Sequence, residues 1–365
     1  MAEYKFKATA QATKVAVTET DAYMVFDGRV STIPSELWLT NPSINSIRVY
    51  DSTDTTELER YVVHFDAAAQ EIQIWIKITS LSDATDTELW FHCGGEEKAQ
   101  DASPYAAHWP LEGVSDISAN ENTLTNVNST TFEAAEIEDG PHFNGANQYL
   151  QTTTIPGSAL STGSIGYWFY MDADSNNSQH TITYVRNAAG VNSRLFCGNT
   201  YTVNDGSAYQ DTIGFRLYVD GATKWYAISP KDATDAYIGS WVHCVIVQNG
   251  TIPVVYINGE DIELNWITTT DRTLWINDIV SGSQPVDTFA IGAARLTTPN
   301  GYWDGLVDNV VITENVWSAN EVLNHYNNEN DPDTFWVASE WQAVGAAVPA
   351  TSSRSTKNKL FLINY

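Results

Sequence analysis

The sequence predicts an all-β chain: a small N-terminal β-sandwich, a larger β-sandwich and an extended C-terminal tail. Three observations carry this. Short runs rich in Val, Ile and aromatic residues recur along the chain, separated by clusters of Gly, Asn, Asp and Ser, which is the punctuation of strands and turns. The run Glu71-Ile72-Gln73-Ile74-Trp75-Ile76-Lys77-Ile78 alternates with period two and puts its isoleucines on one face. Asp220-Gly221 and Asn249-Gly250 each sit between two strand-like runs, and Asn258-Gly259 follows a third. Such pairs favour hairpins because both residues tolerate positive φ.

Composition narrows the function. At 365 residues the chain is long enough for two or three domains, and 43% hydrophobic residues can fill their cores. The 13 Trp and 18 Tyr suit strands and also supply stacking faces for sugars, although most Trp in a sandwich is core. Lys and Arg number 18 against 45 Asp and Glu, a net charge of −27. That balance argues against nucleic acid and against anionic membranes as partners. It suits a solvated surface or divalent cations. Three cysteines form no disulfide framework, and Cys197 and Cys244 lie in apolar runs as small core residues. No apolar run is long enough for a membrane helix, and the N-terminal stretch is polar and alternating. No membrane insertion and no export signal are therefore expected.

In chain order, residues 1–18 alternate and read as an edge strand or an arm docked elsewhere. Residues 19–98 read as the first sandwich, with strands at 23–26, 36–39, 46–50, 60–65, 71–78 and 87–92. The polar stretch 96–103 is the linker. The second sandwich occupies 103–335, with middle strands at 181–186, 194–198, 214–219 and 224–228, then strands at 241–247, 252–257 and 305–312. Residues 336–365 form the tail. Its final run, 357–365, is strand-like, and is expected to pair on its own sheet or to add to a neighbouring subunit.

Motifs within these segments resemble known families. Trp241-Val-His243-Cys-Val-Ile-Val, then Val254-Val-Tyr-Ile-Asn-Gly259, Ile291-Gly292 and Trp303-Asp-Gly-Leu-Val-Asp308-Asn-Val-Val-Ile312 resemble the closing half of a laminin-G-like (concanavalin A-like) jelly roll. His108-Trp109-Pro-Leu-Glu112, Phe143-Asn144-Gly145 and Ser164-Ile-Gly-Tyr-Trp168 resemble its opening half, and 317–326 its closing helix. Asn144 replaces the usual Asp. The resemblance covers about 103–328 and implies a jelly roll. Residues 60–66 and 74–95 carry a resemblance, covering roughly 20–98, to a small β-sandwich of unknown function that precedes such domains in microbial and viral surface proteins; its usual Tyr-Tyr-Gly-Asn ending is here His92-Cys93-Gly94-Gly95.

The resemblance also implies sites. Laminin-G-like domains often hold one calcium ion at the rim. Asp308 is the best-matched position, with Glu112, Asn144 and Asp304 as helpers; hard oxygen ligands suit this ion. A jelly roll with exposed aromatics is a common sugar platform, and Tyr302-Trp303 and Trp225-Tyr226 are the pairs expected to bind glycans. Catalysis is not expected. The Glu-x-Asp-x-x-Glu strand of laminarinase-type jelly rolls is missing, and so are nucleophile elbows, zinc-protease helices and phosphate loops.

The expected function is therefore a non-enzymatic phage virion surface protein: a capsid decoration, fibre or tail-associated subunit, displayed outside the cell after host lysis. Its partners would be other virion subunits or copies of itself, held through the termini, and host or environmental glycans. A microbial surface lectin is the alternative, and a glycoside hydrolase-like enzyme the second.

Overall fold

A computed structural model describes residues 3–172, 179–185, 193–201, 212–230, 237–294 and 301–344. The chain is nearly all β. The first sandwich holds strands β1 (Tyr4–Ala10), β2 (Glu19–Asp27), β3 (Ile47–Tyr50), β4 (Arg60–Asp66), β5 (Glu71–Leu81) and β6 (Thr87–Cys93). A short helix, α1 (Ser35–Thr40), stands where a strand at 36–39 was expected. Asn41, in the left-handed region at φ 46°, ends that helix.

The second sandwich takes β7 (Ala107–Trp109), β8 (Thr125–Val127), β9 (Thr131–Ala134), β10 (Asp139–Asn144), β11 (Tyr149–Thr152), β12 (Gly163–Met171), β13 (Gln179–Val185) and β14 (Arg194–Tyr201). It continues with β15 (Thr212–Val219), β16 (Ala222–Ile228), β17 (Trp241–Gln248), β18 (Val254–Ile257), β19 (Glu260–Asp261), β20 (Asn265–Thr269), helix α2 (Ile276–Ser281), β21 (Thr288–Ile291) and β22 (Asp304–Thr313). Helices α3 (Ala319–Asn330) and α4 (Pro332–Phe335) follow, and β23 (Trp336–Ala343) ends the described chain. Arg186 and residues 345–365, part of the expected strand and tail, lie outside the described residues.

Two of the three expected turns have both central residues at positive φ: Asp220-Gly221 at 50° and 80°, and Asn258-Gly259 at 52° and 80°. At Asn249-Gly250 only the glycine turns, at 84°, and Pro253 delays β18 to Val254.

The termini differ most from expectation. β1 is neither an arm nor an edge: it lies inside a four-stranded sheet of order β23-β1-β6-β3. The segment read as the start of the tail is β23, paired antiparallel to β1 from Trp336 opposite Ala10 to Ala343 opposite Tyr4. The first sandwich is thus built from both ends of the chain. Its second sheet runs β2-β5-β4, and Phe6, Met24, Phe26, Ile74, Ile76, Phe91 and Trp336 fill the space between the sheets.

In the second sandwich one sheet runs β19-β18-β17-β12-β22-β10-β9, with β7 on β22, and the other β20-β16-β15-β14-β13-β21-β11-β8. The core between them holds Trp109, Tyr167, Phe169, Tyr184, Phe215, Trp225, Phe289 and Trp303. The outer face of the first of these sheets meets the outer face of β2-β5-β4. A mixed cluster of Tyr23, Val25 and Trp75 with Tyr105, Val245, Val247, Val311, Trp317 and Val322 joins the two sandwiches.

Candidate functional site

Period-two alternation in β13 to β16 sends Leu195, Cys197, Ile213, Phe215, Leu217 and Trp225 into the core. The residues between them face away from this core and are themselves largely covered: Thr183 is 0% exposed, Tyr226 5%, Phe196 7% and Tyr218 8%. Thr183, Phe196, Arg216 and Tyr226 stand in register across the four strands, and Arg194, Tyr218 and Thr223 form the next row. The result is a checkerboard of guanidinium and aromatic groups. The Arg216 guanidinium lies 4.1 Å from the Tyr218 ring and 4.8 Å from the Tyr226 ring. The Arg194 guanidinium lies 4.1 Å from Tyr218 and 5.4 Å from Phe196. Arg216 Nη2 donates to Thr223 Oγ1 at 2.9 Å. Arg216 Nε and the Thr183 hydroxyl are buried without a hydrogen-bond partner. A buried donor left unmade costs roughly 1–3 kcal/mol, so this face gains by meeting an acceptor. Planar guanidiniums held against rings suit a carboxylate or a hydroxyl-rich ring.

Of the four residues expected to bind glycans, Tyr226 lies on this face. Its neighbour Trp225 points the opposite way, is fully buried, and donates its indole N–H to Leu274 O at 3.1 Å. Trp303 is also core: it meets Phe169 edge-on at 5.6 Å and donates to Leu306 O at 3.1 Å. Neither tryptophan offers a stacking face. Tyr302, 8% exposed, packs beside Tyr149 in a separate small cluster. Arg194, Phe196, Arg216 and Tyr218 were missed, although the alternation of β14 and β15 marks all four as outward once the core face is chosen.

The residues expected to hold calcium do not converge. Asp308 is fully buried inside β22, where its carboxylate accepts the Ile137 and Asn309 N–H groups, each at 2.7 Å. Burial pushes its pKa well above the usual range. Glu112 accepts the Asp139 N–H at 3.1 Å, and burial, aided by nearby Asp308, pushes its pKa up to about 10. Asn144 caps its own turn through the N–H groups of Ala146 and Asn147, and stands opposite Asp304 at the far end of β10. Among the described residues no group of three His, Cys, Asp or Glu is placed to hold a metal ion. These side chains do not fit a calcium site.

The buried charges gather instead where the sandwiches meet. α3 starts with a capping box between Ser318 and Glu321 and then inserts a polar face between the domains. Toward the first sandwich, Asn324 accepts from Ala16 N at 2.6 Å and donates to Val17 O at 3.0 Å. Asn327 donates to Lys14 O, and Asn328 both accepts from Val25 N and donates to Val25 O, each at 2.8 Å. Toward the second sandwich, Glu329 accepts from Trp168 Nε1 at 2.5 Å and Asn309 Nδ2 at 3.0 Å. His325, stacked on Trp317, lies 3.7 Å from Glu329. Although burial opposes its charge, Glu329 and the surrounding carboxylates hold the His325 pKa above its ordinary value. Burial instead pushes His108 and His243 down to about 4. Arg29 ties the joint at its edge, binding Asp27, Glu136 and the Glu329 carbonyl. Glu136 and Glu138, buried beside it, are pushed up to about 7.

Comparison with known proteins follows this geometry. Residues 144–323 match the family described as the concanavalin A-like lectin/glucanases superfamily, and residues 43–140 match a domain of unknown function, DUF2341. No curated protein matches the chain. Among solved structures, the CBM40 of the Ruminococcus gnavus IT-sialidase is 17% identical, covering 55% of this chain and 96% of that one, with a TM-score of 0.38. Domain 4 of a GH43 extracellular arabinanase from Geobacillus stearothermophilus, in complex with arabinotriose, is 15% identical over 62% of this chain and 100% of that one, at a TM-score of 0.41. The botulinum neurotoxin serotype D binding domain is 13% identical over 61% and 52%, at 0.43. The second sandwich is therefore a concanavalin A-like domain of the laminin-G type, preceded in the same chain by a DUF2341 segment.

Proposed function

We propose that this chain binds glycans without acting on them, through the outer face of β13 to β16, as a surface protein of a phage particle. The observation that carries the binding reading is the arginine–aromatic checkerboard with its unpartnered Arg216 Nε and Thr183 hydroxyl. The superfamily, named for lectins and glucanases, supports a sugar as ligand. The guanidiniums favour one that carries a carboxylate. A binding rather than catalytic role is supported by the buried carboxylates of the domain, which are engaged as structural acceptors. Asp116, for example, accepts from His108 N, Ser118 N and Asn122 N. The virion placement rests on the pairing of the two domains, which resembles microbial and viral surface proteins. With β1 integral to the first sandwich, residues 345–365 become the anchor to test.

The experiment is an array of neutral and carboxylated oligosaccharides, probed with the intact chain and with Arg216→Ala. Binding that falls at least tenfold in the variant supports the site. An array with no bound glycan refutes the binding reading. Particle incorporation that survives deletion of 345–365 refutes the anchor.

A further inference from the structure

The first sandwich is left open on one side. β4 pairs with β5 only as far as Arg60 opposite Ile76, while β5 runs on to Leu81. β3 pairs with β6 only as far as Tyr50 opposite Trp90, while β6 begins at Thr87. The missing strand ends leave a cleft of about 490 Å3, lined by residues of both sheets and of the segment after β3. Its apolar side chains are Leu58, Ile78 and Leu89, and its acidic ones Asp51, Asp86 and Glu88. Among the described residues no Lys or Arg lines it, although Lys7 reaches Glu88 at 3.3 Å and Asp86 accepts the Ala12 N–H at 2.9 Å.

Among the described residues no strand pairs with this edge of β5 beyond β4. Lys77 donates its N–H to Glu59 O on the β4 side. By strand alternation, the N–H and C=O of Thr79 and Leu81 point the same way, beyond the point where β4 pairs. Gly94 donates to Ser46 O on the β3 side, which by the same alternation turns Glu88 toward the cleft. An apolar floor, an acidic rim and an unpaired strand edge together make an acceptor for an added strand.

The chain carries a matching segment. Beyond Glu340 there is no Asp or Glu; the charged residues there are Arg354, Lys357 and Lys359, and the last two lead into Leu360-Phe361-Leu362-Ile363. In a chain of net charge −27, that basic, apolar, strand-prone run complements the acidic cleft. Val344 lies at the opposite end of the sheet, bonded to Glu3 O. Thirteen Cα–Cα steps separate it from Lys357, and extended they span about 43 Å. That exceeds the length of β1, roughly 23 Å, plus the width of a few strands.

We propose that the chain's own C-terminal segment, residues 357–365, adds as a strand along Thr79 to Leu81 and fills this cleft, with Leu360 and Leu362 on the apolar floor and Lys357 and Lys359 near Asp51, Asp86 and Glu88. The first sandwich would then take three separate pieces of chain.

Amide hydrogen exchange on the full-length protein tests this, by comparison with Leu360→Asp/Leu362→Asp. Protection of the Thr79 and Leu81 amides in the native chain is expected to fall at least tenfold in the variant, with the Ile76 and Ile78 amides unchanged as the control for folding. Rapid exchange at Thr79 and Leu81 in the native chain overturns the proposal, as does protection that the double substitution leaves intact. A labelled peptide of residues 357–365 gives a second readout. It is expected to bind the variant chain, whose cleft is vacated, and failure to bind overturns the proposal. Neither readout involves glycans, so this inference and the glycan reading fail separately; a segment seated in this cleft is not free to hold a particle, so success here confines the anchor to residues 345–356.

Discussion

The two sheets of the concanavalin A-like domain treat their outer faces in opposite ways. The face of β12, β17 and β22 is covered by α3 and the first sandwich. The polar groups on α3 there are largely spent on partners: Asn324 and Asn328 on backbone, Glu329 on Trp168 and Asn309. The face of β13 to β16 leaves Arg216 Nε and the Thr183 hydroxyl unspent. Satisfied polar groups act as a joint, because separating the surfaces strands them without partners. Buried groups without a partner occur at the joint as well, at Trp75 Nε1, His243 Nδ1 and His325 Nε2, so what sets the β13 to β16 face apart as a reading side is its guanidiniums held against rings.

The comparison breaks most visibly at Glu329. Glu329→Ala leaves His325, Trp168 Nε1 and Asn309 without their buried acceptor, and is expected to lose about 3–5 kcal/mol in chemical denaturation. Asn328→Ala removes two bonds to Val25 and should lose about 2 kcal/mol by the same measurement. On the reading side the signature is reversed: Arg216→Ala should weaken glycan binding at least tenfold while unfolding free energy shifts by less than about 1 kcal/mol.

Titration sharpens the same contrast. Glu136 and Glu138, near 7 in the folded chain, and Glu112, near 10, all lie above their ordinary value of 4.5. The stability linked to their protons is fully present below pH 4.5. It is lost as pH rises, through about 7 for the first two and about 10 for Glu112. His108 and His243 act in the opposite sense: depressed to about 4 from 6.5, they favour folding above pH 6.5 and withdraw that support as pH falls through 4. Melting temperature should therefore decline on both sides of a plateau at mildly acidic to neutral pH. Glu112→Gln should flatten the decline between pH 7 and 10, while glycan binding changes little. The smallest expected effect is that of EDTA, which should leave the melting temperature unchanged because Asp308, Glu112, Asn144 and Asp304 are engaged elsewhere.

Much of this was legible in the chain. The Ile run of β5 and the Asp-Gly and Asn-Gly turns gave strands and hairpins because their chemistry is local. The jelly-roll motifs placed the domain because they recur in order. Asp308 misled because the family motif places a carboxylate at that position without showing that its oxygens meet the Ile137 and Asn309 N–H groups. Trp225 and Tyr226 are adjacent, and one residue of register decides which is core. α3 was read as a short closing helix. It buries Asn324, Asn328 and Glu329, and no apolar stripe announces a helix whose buried face is built of amides. The pairing of β1 with β23 joins residues more than three hundred positions apart, and no local pattern carries that information.

That pairing has a consequence for the order of events during synthesis. The first six strands leave the ribosome early, but their sheet lacks Trp336–Ala343 and the core lacks Trp336 until nearly the whole chain has been made. The concanavalin A-like domain draws its strands from Ala107 to Thr313 and has everything it needs sooner. With N-terminal elements emerging first at roughly 5–20 residues per second, the sandwich that begins the chain waits on the order of ten seconds or more for its last strand. The domain translated first is completed last, and the larger domain is in place as a folded wall when β23 closes the sheet.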